Sequence, residues 1–211
     1  MHAPTTGHFA IVKQILRYIK GTLSHGLVFT SSSFQLNAYT DSNWAGDLVD
    51  RRSTSGYCIF LGDNLISWSS KKQSTVSWSF TEVEYRSLAH TTAELTWLQM
   101  LLVEFCIPQS SVPVLWCDNM SALALATNPV FHHRSKHLEV DCHFVREKVA
   151  AHKLFLKHVP TSHQLADIFT KPLSTARFSF LTSKLMVAAS PINLRGPDKE
   201  KTSSDISEGS S

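Results

Sequence analysis

The sequence predicts an α/β domain on a five-stranded mixed sheet, three antiparallel strands followed by two parallel ones, flanked by helices. Three observations predict it. Three short apolar runs come first, two of them joined across Gly62-Asp63-Asn64, a hairpin signal. Two further short apolar runs follow, each set off by helical periodicity, as βα units require. Asp41 and Asp118 stand at the C-terminal ends of two of these runs, on the edge where open α/β sheets carry their sites.

Taken in order, residues 8–20 (HFAIVKQILRYIK) place Ile11, Ile15, Tyr18 and Ile19 among basic residues, an amphipathic helix stopped by Gly21. Leu36–Asp41, Ser53–Leu61 and Leu65–Ser70 read as strands. A long helix over Thr81–Phe105 has a buried stripe at Leu88, Thr92, Leu95, Leu98 and Leu102. Pro113–Cys117 is a short strand, followed by a helix from Asn119 to Thr127 that Asn128-Pro129 breaks. The polar loop FHHRSKH leads into a helix over Leu138–Ala151. Lys153–Val159 is the fifth strand, and Gln164–Phe169 opens a last helix that Pro172 disturbs. From Ser190 periodicity ends, and PDKEKTSSDISEGSS has the composition of a disordered tail. The expected division is residues 1–33, then a domain over 34–185, then a tail over 186–211.

With 43% hydrophobic residues in 211, the chain can bury a substantial core. The net charge of +3 permits a nucleic-acid partner without demanding one. Cys58, Cys106, Cys117 and Cys142 form no CxxC pairing; buried thiols in a reducing, intracellular compartment are expected, Cys106 and Cys117 lying in apolar contexts. No apolar run reaches membrane-spanning length, so no membrane partner is expected. The five tryptophans read mostly as core.

Four acids carry the chemical interest: Asp41 in AYTDSNW, Glu84 in FTEVEYRSLA, Asp118 in VLWCDNMSA and Asp167 in HQLADIFTK. Carboxylates converging from strand ends and first helical turns can hold hard divalent cations, which take oxygen ligands. Three of them also have structural explanations. Asp118 can be a helix N-cap. Thr81-Glu82-Val83-Glu84 fits a capping box that would make Glu84 structural, but Ser79-Phe80-Thr81-Glu82 fits the same box and would free it. Asp167 can be a charge favoured by a helix dipole, with Thr161 and Gln164 supplying the box. Asp41 is harder to dismiss, since strands disfavour aspartate. His132, His133, His137 and His143 cluster near Cys142, but their spacing matches no closed zinc pattern. Lys71, Lys72, Arg134 and Lys136 flank the presumed cleft as phosphate contacts or as solvated charges.

The strings DSNWAGDLVDRRSTSGYCIFLGDNLISWSSKKQSTVS, TEVEYRSLAHTTAELTWLQMLL, LWCDNMSALALATNPVFHHRSKHLEVDCHFVREKV and VPTSHQLADIFTKPL resemble the ribonuclease H domain of copia-type LTR retrotransposon Pol polyproteins. The N-terminal MHAPTTGHFAIVKQILRYIKGT resembles the end of the preceding reverse-transcriptase and connection region. The resemblance covers roughly residues 1–185. It implies an RNase H-like fold and metal-dependent cleavage of the RNA strand of RNA–DNA hybrids, with Asp41, Glu84, Asp118 and Asp167 as catalytic and metal-binding acids. It gives the catalytic role to Glu84 and leaves Glu82 for capping. Two magnesium ions are implied, with manganese as a substitute; Asp41 bridges them and the other acids complete their shells. One ion activates a water and the other stabilises the departing 3′ oxygen. Groove width and 2′-hydroxyl contacts would select the hybrid. Ser42, Asn119, Arg134 and Lys136 are the substrate contacts expected from this picture, and His163 a residue for product release. The reverse-transcriptase portion of a parent polyprotein is the expected partner.

The chain departs from the family's SRSSTEAEY-like string. Trp78 stands in place of a basic residue and Phe80 in place of a small polar one. With protease, integrase and polymerase core missing, the alternative expectation is a catalytically inactive fragment that only binds nucleic acid or a protein partner.

Overall fold

A computed structural model describes residues 3–47, 49–109, 111–128 and 136–189. Arg134, His132, His133 and the tail expected from Ser190 lie outside the described residues, as do the side chains of Lys136 and His137. In chain order the elements are α1 (Thr6–Thr22), β1 (His25–Leu27), β2 (Leu36–Asn43), β3 (Thr54–Leu61), β4 (Asn64–Lys72), α2 (Phe80–Glu104), β5 (Val114–Cys117), α3 (Met120–Thr127), α4 (Lys136–Ala150), β6 (Phe155–His158), α5 (Asp167–Thr170), α6 (Thr175–Lys184) and β7 (Val187–Ala189). A single 3-10 turn, Thr161–His163, precedes α5.

Two compact units divide the chain: Leu27–Val187, and the two chain ends Met1–Gly26 with Ala188–Ser211. In the end unit, α1 is capped by Thr5, whose hydroxyl accepts from the His8 amide while the His8 ring returns a bond to the Thr5 amide. Its expected apolar stripe is present but exposed, Ile15 at 52%. β1 and β7 form a two-stranded sheet. At three residues each they are too short for periodicity to reveal.

The central unit holds the five-stranded sheet, in the order β4-β3-β2-β5-β6. β2, β3 and β4 pair antiparallel; β5 joins β2, and β6 joins β5, in parallel. This is the three-then-two mixed sheet that the RNase H-like expectation calls for. Strand alternation divides the core between its faces. Leu36 and Ala38 of β2 and Ile59 of β3 pack with Leu88, Leu95, Leu115 and Val145, beneath α2 and α4. Cys58 and Phe60, one residue out of phase, pack with Leu65 and Leu185 and against Tyr39, Ile168 and Phe169 on the side of α5.

Three expectations fail. Cys106 is exposed, because α2 ends in a turn that puts it at φ 57. Trp44, Trp68, Trp78 and Trp97 are also exposed, Trp78 at 93%. Trp97 lies between the buried Leu95 and Leu98 on the solvent side of α2, while Trp78 belongs to the loop before it. The helix expected from Gln164 begins instead at Asp167, behind the 3-10 turn. α6 lacks a strong apolar stripe, having only Leu181 buried, so periodicity does not reveal it.

Candidate metal centre

The parallel register sets Tyr39 opposite Trp116, so Asp41 and Asp118 each stand two residues past the same aligned pair. Both belong to the phase of Tyr39 and Trp116, whose rings stack 6.1 Å apart. Asp41 still lies within β2 and is 1% exposed. Its neighbour Thr40 faces the other way and meets Ser87 and Thr91 of α2. Ser87 also donates to the Asp41 carbonyl (2.9 Å), fixing α2 to the backbone that carries the carboxylate.

Glu84 is freed by the capping register. Ser79 is the N-cap of α2, and its hydroxyl accepts from the Glu82 amide. Glu82 is fully engaged: one oxygen accepts from the Trp78 amide (2.8 Å), the other from Arg86 (2.7 Å). Glu84 therefore caps nothing. It is fully buried, and Oε1 accepts from the Ser42 amide (3.3 Å) while Oε2 has no hydrogen-bond partner. Its carboxylate, the Asp118 carboxylate and Cys117 Sγ offer ligand atoms within 4.8 Å of one another. Asp118 does not cap α3, a role taken by Asn119, which accepts from the Ala122 amide (2.9 Å). Instead Asp118 Oδ2 accepts from the Thr161 hydroxyl (3.2 Å).

Asp167, 4% exposed, opens α5 without capping it. Two devices bring it to β2. Gln164, fully buried, donates to the Thr40 carbonyl (2.9 Å) and accepts from the Ala166 amide (3.2 Å). Gly56, paired with Asp41 across the sheet, leaves room for α5. A Cβ there would lie 2.7 Å from both Phe169 Cβ and Thr170 Cγ2. Thr170 donates to Asp41 Oδ2. Lys171 lies between two of the acids, 2.9 Å from Asp41 Oδ1 and 2.7 Å from Asp167 Oδ1. Arg177 Nη2 takes the remaining Asp167 oxygen at 3.1 Å.

The structure thus brings a Glu84 oxygen within 4.8 Å of one of Asp118, and links Asp41 with Asp167 through a lysine. Sequence reasoning missed Lys171, Thr170, Gln164 and Arg177 as site residues. The Asp167–Lys171 spacing of four on a short helix was the one local signal.

Electrostatics follow from this crowding. Burial, then the charges of Asp41 and Asp118, push Glu84 up to about 9. Burial also raises Asp41, against the pull of Lys171 and Thr170. Burial works against the Lys171 ammonium, but the Asp41 charge and the bonds to Asp167 and Asp41 outweigh it and raise Lys171 above its ordinary value. Burial raises the Cys117 thiol too, so it sits in the cluster as a protonated group. The hard ligands are the carboxylate oxygens. An unpartnered buried Glu84 oxygen beside a second carboxylate is the donor set a divalent cation such as magnesium takes.

Of the expected substrate contacts, Ser42 is fully buried and serves Glu84 through its amide, and Asn119 is partly buried as the α3 cap. Arg134 and the Lys136 side chain are outside the described residues. His163 is exposed, beside the Ser162 hydroxyl at 3.0 Å. Of the zinc candidates within the described side chains, Cys142 is buried and His143 exposed on α4.

No family model matches the chain. It is 47% identical over 197 residues to the retrovirus-related Pol polyprotein from transposon RE2 of Arabidopsis thaliana, covering 93% of this chain and 14% of that protein. It is 38% identical over 175 residues to the corresponding polyprotein from transposon TNT 1-94 of Nicotiana tabacum, covering 83% of this chain and 13% of that protein. The chain therefore spans about a seventh of the length of the curated relatives it matches. Among solved structures it is similar to the N-terminal RNase H domain of Rv2228c from Mycobacterium tuberculosis, with a TM-score of 0.46 and 10% identity over 72% of this chain and 98% of that one.

Proposed function

The chain belongs to the copia-type retrotransposon Pol polyproteins as a segment of them, and from that premise we propose that it is their ribonuclease H part, cleaving the RNA strand of RNA–DNA hybrids. The observation that carries the reading is the buried acid cluster at one sheet edge, with a Glu84 oxygen left unpartnered beside Asp118. A buried carboxylate without a cation costs several kcal/mol, so a fold that buries Asp41, Glu84 and Asp167 beside the half-buried Asp118 is built to hold cations. Asp41, Glu84, Asp118 and Asp167 would hold magnesium, or manganese in its place. When bound, it supplies Lewis acidity toward a phosphodiester and lowers the pKa of a ligated water.

The chain's own residues do the positioning. The Ser42 amide fixes one Glu84 oxygen and leaves the other without a hydrogen-bond partner, in a carboxylate close to that of Asp118. Thr170 orients Asp41, Thr161 orients Asp118, and Arg177 orients Asp167. Ser87, bonded to the Asp41 carbonyl, ties that orientation to α2, which also carries Glu84.

The division into a connection-region segment at 1–33 and a domain at 34–185 is part of the same proposal, with the remaining polymerase as the partner. The inactive-remnant reading is favoured by one feature, the Trp78 ring, 93% exposed in the loop before α2. Incubation of the protein with a labelled RNA–DNA hybrid and magnesium, beside an Asp41→Asn variant, decides between them. Cleavage by the wild type that the variant loses is expected. A folded wild type that leaves the hybrid intact in magnesium and in manganese would reduce the chain to a binding remnant.

A further inference from the structure

Among the described residues Lys171 is the one cation that bridges two of the four acids, and its contacts are selective. Asp41 has Oδ2 tied to the Thr170 hydroxyl and gives Oδ1 to the ammonium. Asp167 has Oδ2 tied to Arg177 and likewise gives Oδ1 to the ammonium. Each carboxylate is therefore held by one oxygen from the scaffold, while the other is offered inward to a shared positive charge. That is how an acid pair is arranged around a metal ion, with the ammonium standing in the bridging position.

The three groups differ in their freedom to move. The Asp41 and Asp167 side chains are 1% and 6% exposed, and their scaffold bonds fix them. The Lys171 side chain is 32% exposed on a flexible four-carbon stem, and reaches solvent by rotamer changes alone. Its backbone has already left α5 in an extended conformation at φ −122, and Pro172 holds it there.

Resting on the metal-centre reading above, we propose that Lys171 is a tethered counter-ion that a divalent metal must displace: the protein takes up metal at Asp41 and Asp167 by exchange with its own ammonium. The exchange explains how two buried carboxylates 126 residues apart in sequence fold together before any metal arrives, since two like charges at one site otherwise repel. It also sets the cost. A site filled by its own lysine nine times in ten binds an incoming ion about tenfold more weakly than an open one.

Two readouts test this without relying on catalysis. Calorimetric titration with magnesium should show Lys171→Met binding roughly tenfold tighter than the wild type. Lys171→Arg, which keeps the charge, should stay within about threefold. Acylation by an amine-reactive reagent, read by mass spectrometry, should show Lys171 of the wild type protected without metal and several-fold more reactive when magnesium saturates the protein, with Lys148 on α4 unchanged. If Lys171→Met does not fold without metal, the wild-type labelling decides alone. A wild type that binds magnesium while Lys171 labelling stays constant overturns the exchange and leaves the metal centre standing. A folded wild type that binds neither magnesium nor manganese removes the metal centre, and the exchange with it.

Discussion

Gly56→Ala isolates how α5 is held at the site. The glycine pairs with Asp41, and a Cβ there would come within 2.7 Å of Phe169 Cβ and of Thr170 Cγ2. Ordinary contact begins near 3.4 Å, so α5 must retreat by roughly 0.7 Å. Phe169 Cβ sits directly on the backbone and cannot turn away. The Ser70 hydroxyl, donating to the Phe169 carbonyl at 2.6 Å, pulls against the retreat. Overpacking of this kind costs about 1–3 kcal/mol, and in a chain of this size each kcal/mol lowers Tm by about 2–4 °C. A drop of roughly 2–12 °C is expected in a thermal scan followed by circular dichroism. The function should suffer more than the stability. Thr170 and Lys171 would move with α5 away from Asp41, and a misplacement approaching 1 Å costs roughly a hundredfold in rate. Hybrid cleavage at a temperature where the variant stays folded measures that loss. Gly26→Ala, whose Cβ meets nothing within 4 Å, is the control. A Gly56→Ala protein matching the wild type in both Tm and cleavage would refute the close approach as the device that positions the acids.

Glu84 is raised to about 9 from an ordinary 4.5, so its own contribution to metal-free stability is fullest below pH 4.5 and is lost as pH rises through about 9. Differential scanning fluorimetry in chelator should show Tm falling over that window; Glu84→Gln should flatten the fall and shrink the rise in Tm that magnesium gives the wild type. Gln164→Ala removes a fully buried amide that joins the Thr40 carbonyl to the Ala166 amide, and leaves both groups unpaired. It should cost about 1–3 kcal/mol in urea unfolding, and weaken magnesium binding by loosening Asp167. Leu115→Ala, at a fully buried position on the interior strand β5, should cost about 2–5 kcal/mol in the same assay while leaving magnesium affinity unchanged.

How much of this was legible depends on the range of the interaction. The hairpin across Gly62, the periodicity of α2 and the strand ending at Cys117 are local patterns, and they found their elements within a few residues. The alternation in β2 and β3 contained the two-faced core as well. Legibility stopped where a side chain's role depends on a remote partner. Trp78 and Trp97 read as core from their chemistry, yet both are exposed, Trp78 almost completely. Two capping registers fitted the start of α2 equally well. Spacing alone does not separate them; the resemblance favours the earlier register, and the Ser79 cap, with the Trp78 amide and Arg86 on both oxygens of Glu82, is the physical reason.

The acids and their cations show the same divide. An aspartate in a strand announces itself, because nothing local favours it there. A lysine after a short helix does not, since its ordinary place is in solvent. Lys171 becomes part of the site only through Asp41, 130 residues earlier, and Arg177 only through the fold of α6 back onto Asp167. The omission matters for the chemistry, because the acids alone suggest an open cluster waiting for ions. With Lys171 and Arg177 included, the Asp41–Asp167 half is already neutralised, and only the Glu84–Asp118 half has a bare buried oxygen. Metal should therefore enter first beside Glu84 and Asp118, where it displaces only the proton that burial keeps on Glu84, and reach Asp41 and Asp167 only as Lys171 leaves. A calorimetric titration resolving two binding steps in the wild type, with Glu84→Gln losing the tighter one, is the expected result; a single step unaffected by Glu84→Gln would contradict that order.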